Sequence, residues 1–139
     1  MFTTPMLPAP FSLLIADDDR AARETLRDCL EPVGFRTFFA CDGEEAVDVI
    51  RAHQEIHLAL MDLHMPRLSG LEALELVREV KQGLPMILLT ADRDDQIMRQ
   101  ALSAHVFSVV AKPINKNILM YVVTRAIQKF YHFSGLHEA

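Results

Sequence analysis

The chain has 139 residues, half of them hydrophobic, a formal net charge of −5 and two cysteines. That is the length of one domain with a core of useful size, too apolar for disorder and too acidic to suit direct binding to nucleic-acid phosphates. Cys29 and Cys41 match no metal spacing and make no disulfide framework, and no apolar run approaches the roughly 20 residues of a membrane span, so the expectation is a cytoplasmic protein with two reduced core thiols and no membrane partner.

Residues 1–10, "MFTTPMLPAP", carry no positive charge and are broken by prolines, which argues for a flexible N-terminal arm rather than a signal peptide. The first strand is expected over Ser12–Ala16 and ends in Asp17-Asp18-Asp19. A helical stripe of Ala22, Leu26, Cys29 and Leu30 follows and stops at Pro32-Val33-Gly34. Phe35–Ala40 is a second, more mixed strand, and Glu44–His53 a second helix with Ala46, Val49 and Ile50. His57–Met61 is the third strand, ending in Asp62. Ser69–Val80 is the third helix, with Ser69 as its N-cap. Met86–Leu89 leads to Thr90-Ala91, and Asp94–Ala104 offers Ile97, Ala101 and Leu102. Val106–Ala111 runs into Lys112-Pro113, and Asn115–Tyr131 is the longest helix.

Strand followed by helix, five times over, predicts an α/β fold: a five-stranded parallel sheet with helices on both faces. Continuous apolar runs suit strands buried on both sides. Such sheets bind ligands beyond the C-terminal ends of their strands. Carboxylates, a hydroxyl and an ammonium would meet there. Two unit charges about 4 Å apart repel by roughly 4 kcal/mol at an effective dielectric near 20, so the acids need a positive partner: Lys112, a divalent cation, or both. Oxygen ligands of this kind suit Mg²⁺, and a carboxylate can attack phosphorus to give an aspartyl phosphate. Each residue has a plainer reading alone: a helix N-cap for an aspartate, which Asp19 is expected to be, a good strand former for Thr90, a solvated lysine for Lys112. The agreement of four strand ends favours a site.

With these residues in place the chain resembles a response-regulator receiver domain, the CheY-like phosphoacceptor module of two-component signalling. "LLIADDDR", "LALMDLHMPRLSGLEAL", "PMILLTA" and "VVAKPI" carry the resemblance in order, over about Phe11 to Phe130. It implies strand order 2-1-3-4-5, a receiver domain over 11–133 and a C-terminal tail over 134–139. It implies that Asp62 accepts phosphate from a sensor histidine kinase or phosphotransfer protein, and that Asp17, Asp18, Asp62 and the main-chain carbonyl of His64 hold Mg²⁺. Thr90 and Lys112 would bind the phosphoryl oxygens, and the Lys112–Pro113 bond would be cis. The implied output is a rearrangement of helix four, strand five and helix five, read by a downstream protein or an output domain outside this chain. By this reading the domain is not an enzyme in the ordinary sense, though it catalyses its own phosphorylation and dephosphorylation.

The chain departs from the family at Val109, where Tyr or Phe is usual, and Phe107 is expected to face the other way and not replace it. His105 stands where Gly is common and is expected to be a surface loop residue. His64 and Asp92, two residues past Asp62 and Thr90, either tune the loss of phosphate or simply face solvent. His53, His57, His132 and His137 form no ligand spacing. Helix five has apolar residues to spare in Ile118, Met120, Tyr121, Tyr131 and Phe133: a packed helix, or a homodimer surface with helix four and strand five.

Two other functions compete. A haloacid-dehalogenase-type phosphatase would use Asp17-x-Asp19, but it needs acids after the lysine, where only Glu138 stands, and leaves Asp62 unexplained. A receiver-like binding module without phosphotransfer is compatible with Val109. After Phe133 only "SGLHEA" follows, which fits either a stand-alone receiver or one domain of a longer regulator.

Overall fold

The computed structural model describes residues 10–92 and 94–132; residues 1–9 of the expected arm, the tail and Phe133 lie outside them. Five strands, β1 (Ser12–Ala16), β2 (Arg36–Ala40), β3 (Ile56–Asp62), β4 (Met86–Thr90) and β5 (Ser108–Ala111), alternate with five helices, α1 (Arg20–Leu30), α2 (Gly43–Ala52), α3 (Gly70–Val80), α4 (Asp95–Ser103) and α5 (Lys116–Tyr131). The strands are all parallel in the order β2-β1-β3-β4-β5.

Alternation explains the unbroken apolar runs. Leu13 and Ile15 of β1, Leu58 and Leu60 of β3, and Ile87 and Leu89 of β4 point to one face, which α1 and α5 cover with Leu26, Leu30, Leu119, Val123 and Ile127. Leu14 and Ala16, Ala59 and Met61, and Met86 and Leu88 point to the other, against Ala46 and Ile50 of α2, Leu74 and Val77 of α3 and Ala101 of α4. Both faces of the central strands are therefore dry, and a polar residue on them would lose its water without a partner.

Side-chain caps set the helix starts. Asp19, Asp42, Ser69, Asp94 and Asn115 each accept a first-turn backbone N–H, and Ser69 and Glu72 form a reciprocal capping box. Ser69 is the cap expected of it, and Asp94 and Asn115, read from the sequence as first helical residues, are caps as well. α1 ends in a 3₁₀ turn over Glu31–Val33, closed by Gly34 at φ 112°, a left-handed geometry that suits glycine.

Several expectations need correction. Cys41 is not a core thiol but exposed, because β2 stops at Ala40 and Cys41 opens the loop to α2; Cys29 is partly buried. β5 starts at Ser108 rather than Val106, after a turn in which His105 takes φ 63°, so a non-glycine residue holds the left-handed position of this loop. Phe107 and Val109 do pack on opposite sides of the sheet. Residues two apart in a regular strand share a face, but Phe107 lies in the bend before β5 and escapes that rule. Tyr131 packs back onto the domain, its hydroxyl donating to the His57 carbonyl at 2.6 Å. His57 is a structural residue, accepting the Ser12 N–H on Nδ1 at 2.9 Å. Ile118 and Tyr121 remain exposed on α5.

Candidate functional site

Asp17 follows β1, Asp62 ends β3, Thr90 ends β4 and Lys112 follows β5, so parallel pairing delivers all four to one edge of the sheet. Backbone bonds carry the ladders past the strand ends: Asp17 N–H to Ala40 O at 3.0 Å, Leu63 N–H to Leu89 O at 2.9 Å and Lys112 N–H to Thr90 O at 2.8 Å. The Lys112–Pro113 bond is cis.

One carboxylate oxygen from each of Asp17, Asp18 and Asp62 falls within a cluster 4.8 Å across. The three differ. Asp17 is 1% exposed and both its oxygens are engaged, Oδ1 by the Asp19 N–H at 2.9 Å and Oδ2 by the Lys112 ammonium at 2.7 Å. Asp18 is exposed, and among the described residues no hydrogen bond reaches its carboxylate. Asp62 is buried and lies 3.4 Å from Lys112 Nζ, and its Oδ1 accepts the His64 N–H at 3.4 Å. An all-oxygen set with one uncommitted, solvent-facing carboxylate fits a hard divalent ion that keeps several of its waters.

Burial pushes the Asp62 carboxyl above its ordinary value; the Lys112 charge pulls it down and Asp17 pushes it up again. Burial also disfavours the Lys112 ammonium, but its hydrogen bond to Asp17 and the Asp62 charge outweigh that and raise it, so the lysine stays charged. The two directions are consistent: the ammonium is held between two carboxylates, while Asp62 shares that one cation with Asp17.

Thr90 is buried, and its hydroxyl closes a turn, accepting the Asp92 N–H at 2.8 Å. His64 Nε2 and Asp92 Oδ2 stand 3.3 Å apart, joining the loops after β3 and β4. Weighed singly in the sequence, these two residues are brought together by the fold. Val109 is partly buried against the α4 side of the sheet.

Sequence reasoning missed three supports. Arg23, one turn into α1, donates to the Asp17 carbonyl at 2.6 Å and holds the acidic loop. Arg67, at φ 68°, reaches Asp42 and Glu44 and ties the loop after β3 to the start of α2. Gly70 lets α3 approach Asp62 closely: a Cβ there would stand 2.7 Å from the Asp62 carbonyl oxygen. Only Gly70 left a trace in the sequence, as part of the motif around Asp62. The two arginines act across distances that no spacing rule encodes.

Comparison with known proteins agrees with this geometry. The family model described as the response regulator receiver domain matches residues 13–124. Response regulator MprA of Mycobacterium sp. (strain KMS) is 41% identical over 105 residues, covering 75% of this chain and 45% of that protein. The transcriptional regulatory protein CpxR of Escherichia coli (strain K12) is 35% identical over 124 residues, covering 88% and 51% respectively. The chain thus spans about half the length of these curated relatives. Among solved structures, CheY in the CheX-CheY-BeF3-Mg complex from Borrelia burgdorferi superposes with a TM-score of 0.84 at 24% identity, over 90% of this chain and 98% of that one, a likeness of fold. Five parallel strands in this order, the acidic cluster facing a lysine and a family match over most of the chain lead to one conclusion: this chain belongs to the response regulator receiver domain family of two-component signalling.

Proposed function

We propose that Asp62 accepts a phosphoryl group, in a Mg²⁺-dependent transfer from a phosphohistidine on a sensor kinase or phosphotransfer protein in the cytoplasm. The observation that carries this is the convergence of Asp17, Asp18 and Asp62 within 4.8 Å, with Lys112 Nζ 2.7 Å from Asp17 and 3.4 Å from Asp62. Asp18, with its uncommitted oxygens, would be the principal ligand, with Asp17, Asp62 and the His64 carbonyl making up the rest of the protein's share. Bound there, Mg²⁺ supplies positive charge that lets an anionic phosphoryl group approach an anionic carboxylate.

The protein's own residues do the rest. An oxygen of Asp62 attacks phosphorus in line with the departing imidazole nitrogen; the P–N bond breaks as the P–O bond forms. Lys112 moves from its carboxylate partners onto a phosphoryl oxygen and offsets its charge. Thr90 gives up its turn with Asp92 and donates its hydroxyl to a second oxygen. Such rearrangement is a population shift, driven by contacts that the phosphoryl group makes in one state and not the other. The surface of α4, β5 and α5 carries the change to a downstream protein or an output domain; exposed Leu102, Ile118 and Tyr121 give its two helices apolar contact area, also for a homodimer. Membership of a non-enzymatic regulatory family disfavours the phosphatase reading, which also left Asp62 without a role.

Incubation with Mg²⁺ and acetyl phosphate, followed by intact-mass measurement, tests the proposal. One phosphoryl adduct that requires Mg²⁺ and vanishes in Asp62→Asn is expected. No adduct would leave a binding module without phosphotransfer.

A further inference from the structure

Beside Thr90 a cavity of about 260 Å³ opens between β5 and the start of α4, lined by Thr90, Asp92, Asp95, Met98, Val109 and Ala111. Its size follows from β5. Val109 pairs with Leu88 and Ala111 with Thr90 in the ladder, and these two small side chains line the cavity without filling it. On the helix, Ile97 and Ala101 take the core contact; Met98 faces the cavity, and Leu102, one turn further on, is 61% exposed. The floor is therefore apolar and continues into an uncovered apolar residue.

The cavity is smaller than the roughly 300–1,000 Å³ of small-molecule sites and suits one side chain. Its rim is acidic: Asp92 and Asp95 line it, and residues 92–95 hold three aspartates against one arginine. The positive end of α4 is already spent on Asp94, which accepts the Gln96 and Ile97 N–H groups. A neighbouring cation is favoured and an anion is not.

We propose that this cavity receives one aromatic side chain from a partner protein, presented beside a lysine or arginine that lies against Asp92 and Asp95. The inserted ring touches Thr90, so partner binding and phosphorylation of Asp62 are linked, and each changes the other's affinity by the same factor. The linkage rests on the phosphoacceptor reading; the binding site does not.

The test uses phenethylammonium, which joins the ring and the cation in one molecule, and phenylacetate, which has the ring with an opposite charge. Each is titrated into methyl-labelled protein by NMR. Phenethylammonium should give saturable shifts at Val109, Met98 and Ala111, with phenylacetate about tenfold weaker, a plausible scale for reversing one partly screened charge. Val109→Phe should abolish the shifts by filling the space. Val109→Ala should keep them, and Asp95→Asn should shrink the preference for the cation; these two stand if Val109→Phe fails to fold. No saturable shift, equal affinity for both probes, or binding unchanged in a folded Val109→Phe overturns the proposal. Shifts at the same methyls that track protein concentration without probe replace the partner with a second copy of this chain. Repeating the titration after acetyl phosphate and Mg²⁺, with Asp62 occupancy read by mass, tests the linkage. Probe binding without Asp62 modification counts against the phosphoacceptor reading alone; unchanged affinity at full modification counts against the linkage.

Discussion

His64 Nε2 lies 3.3 Å from Asp92 Oδ2, and this contact joins the loop after Asp62 to the loop after Thr90. Both side chains are partly exposed, His64 60% and Asp92 34%, so the pair is worth at most about 1 kcal/mol, or a factor of about five. With Asp62 as the proposed acceptor, so weak a contact beside it would open for a donor and still hinder water. His64→Ala and Asp92→Ala should each speed the loss of phosphate up to about fivefold, and the double variant no more than either. Decay of the phosphorylated fraction, followed by intact mass, measures this. Unchanged rates in both single variants would assign the pair to solvent-exposed surface.

Lys112 holds Asp17 at 2.7 Å and Asp62 at 3.4 Å, and in the proposed transfer it is the cation that meets the phosphoryl group. Lys112→Ala should slow phosphorylation by acetyl phosphate on the order of 10²–10³-fold, the usual cost of one charge-stabilising donor. It should also raise the Asp62 carboxyl further, because Lys112 is the largest influence pulling it down. Rates at saturating Mg²⁺ separate this from weakened metal binding.

Gly70 packs against the backbone of Asp62, and a methyl group there would sit 2.7 Å from the Asp62 carbonyl. Gly70→Ala should cost about 1–3 kcal/mol, as other overpacking changes do, and slow phosphorylation by displacing the acceptor. Ser69→Ala is the control. It removes the N-cap of the same helix for about 1 kcal/mol and should leave the phosphorylation rate alone. Urea unfolding with parallel kinetics distinguishes the two.

At the opposite end of the sheet, the β1–β3 register slips between Ser12 and Leu13, skipping His57. Its imidazole compensates by accepting the Ser12 N–H on Nδ1, with Phe11 and Tyr131 edge-on to the ring. Burial, then the nearby Lys81 charge, lowers the His57 value, and Glu55 raises it less; the Ser12 N–H held on Nδ1 is a bond only the neutral ring accepts, so it too favours the unprotonated form. Below about pH 6.5, the ordinary histidine value, the unfolded chain therefore binds a proton that the folded chain resists, and stability falls with pH. Protonated Nδ1 cannot accept, which strands the Ser12 N–H at a cost of about 1–3 kcal/mol. Between pH 7.5 and 5.5 the wild type should lose stability that His57→Gln does not lose. Equal pH dependence in urea melts would show that His57 does not sense pH.

The order of elements was legible because each depends on local pattern. Unbroken apolar runs such as Leu58–Met61 are long enough only for strands, and Asp19 and Ser69 cap helices through bonds two or three residues away. The C-terminal positions of Asp17, Asp62, Thr90 and Lys112 then followed from parallel topology, so the residues of the site could be read before their geometry.

What the sequence by itself determined was which chemical groups reach the sheet edge, since strand period and parallel connection place them without reference to distant partners. Only the tertiary structure decided how they divide the work. The Asp17 carboxylate is spent on Lys112, 95 residues away, while that of Asp18 stays open. His64 meets Asp92 across two loops, Phe107 turns from Val109 in a bend rather than a strand, and a cavity remains between β5 and the start of α4. These depend on side-chain reach and packing between segments far apart in the chain, which no local pattern records.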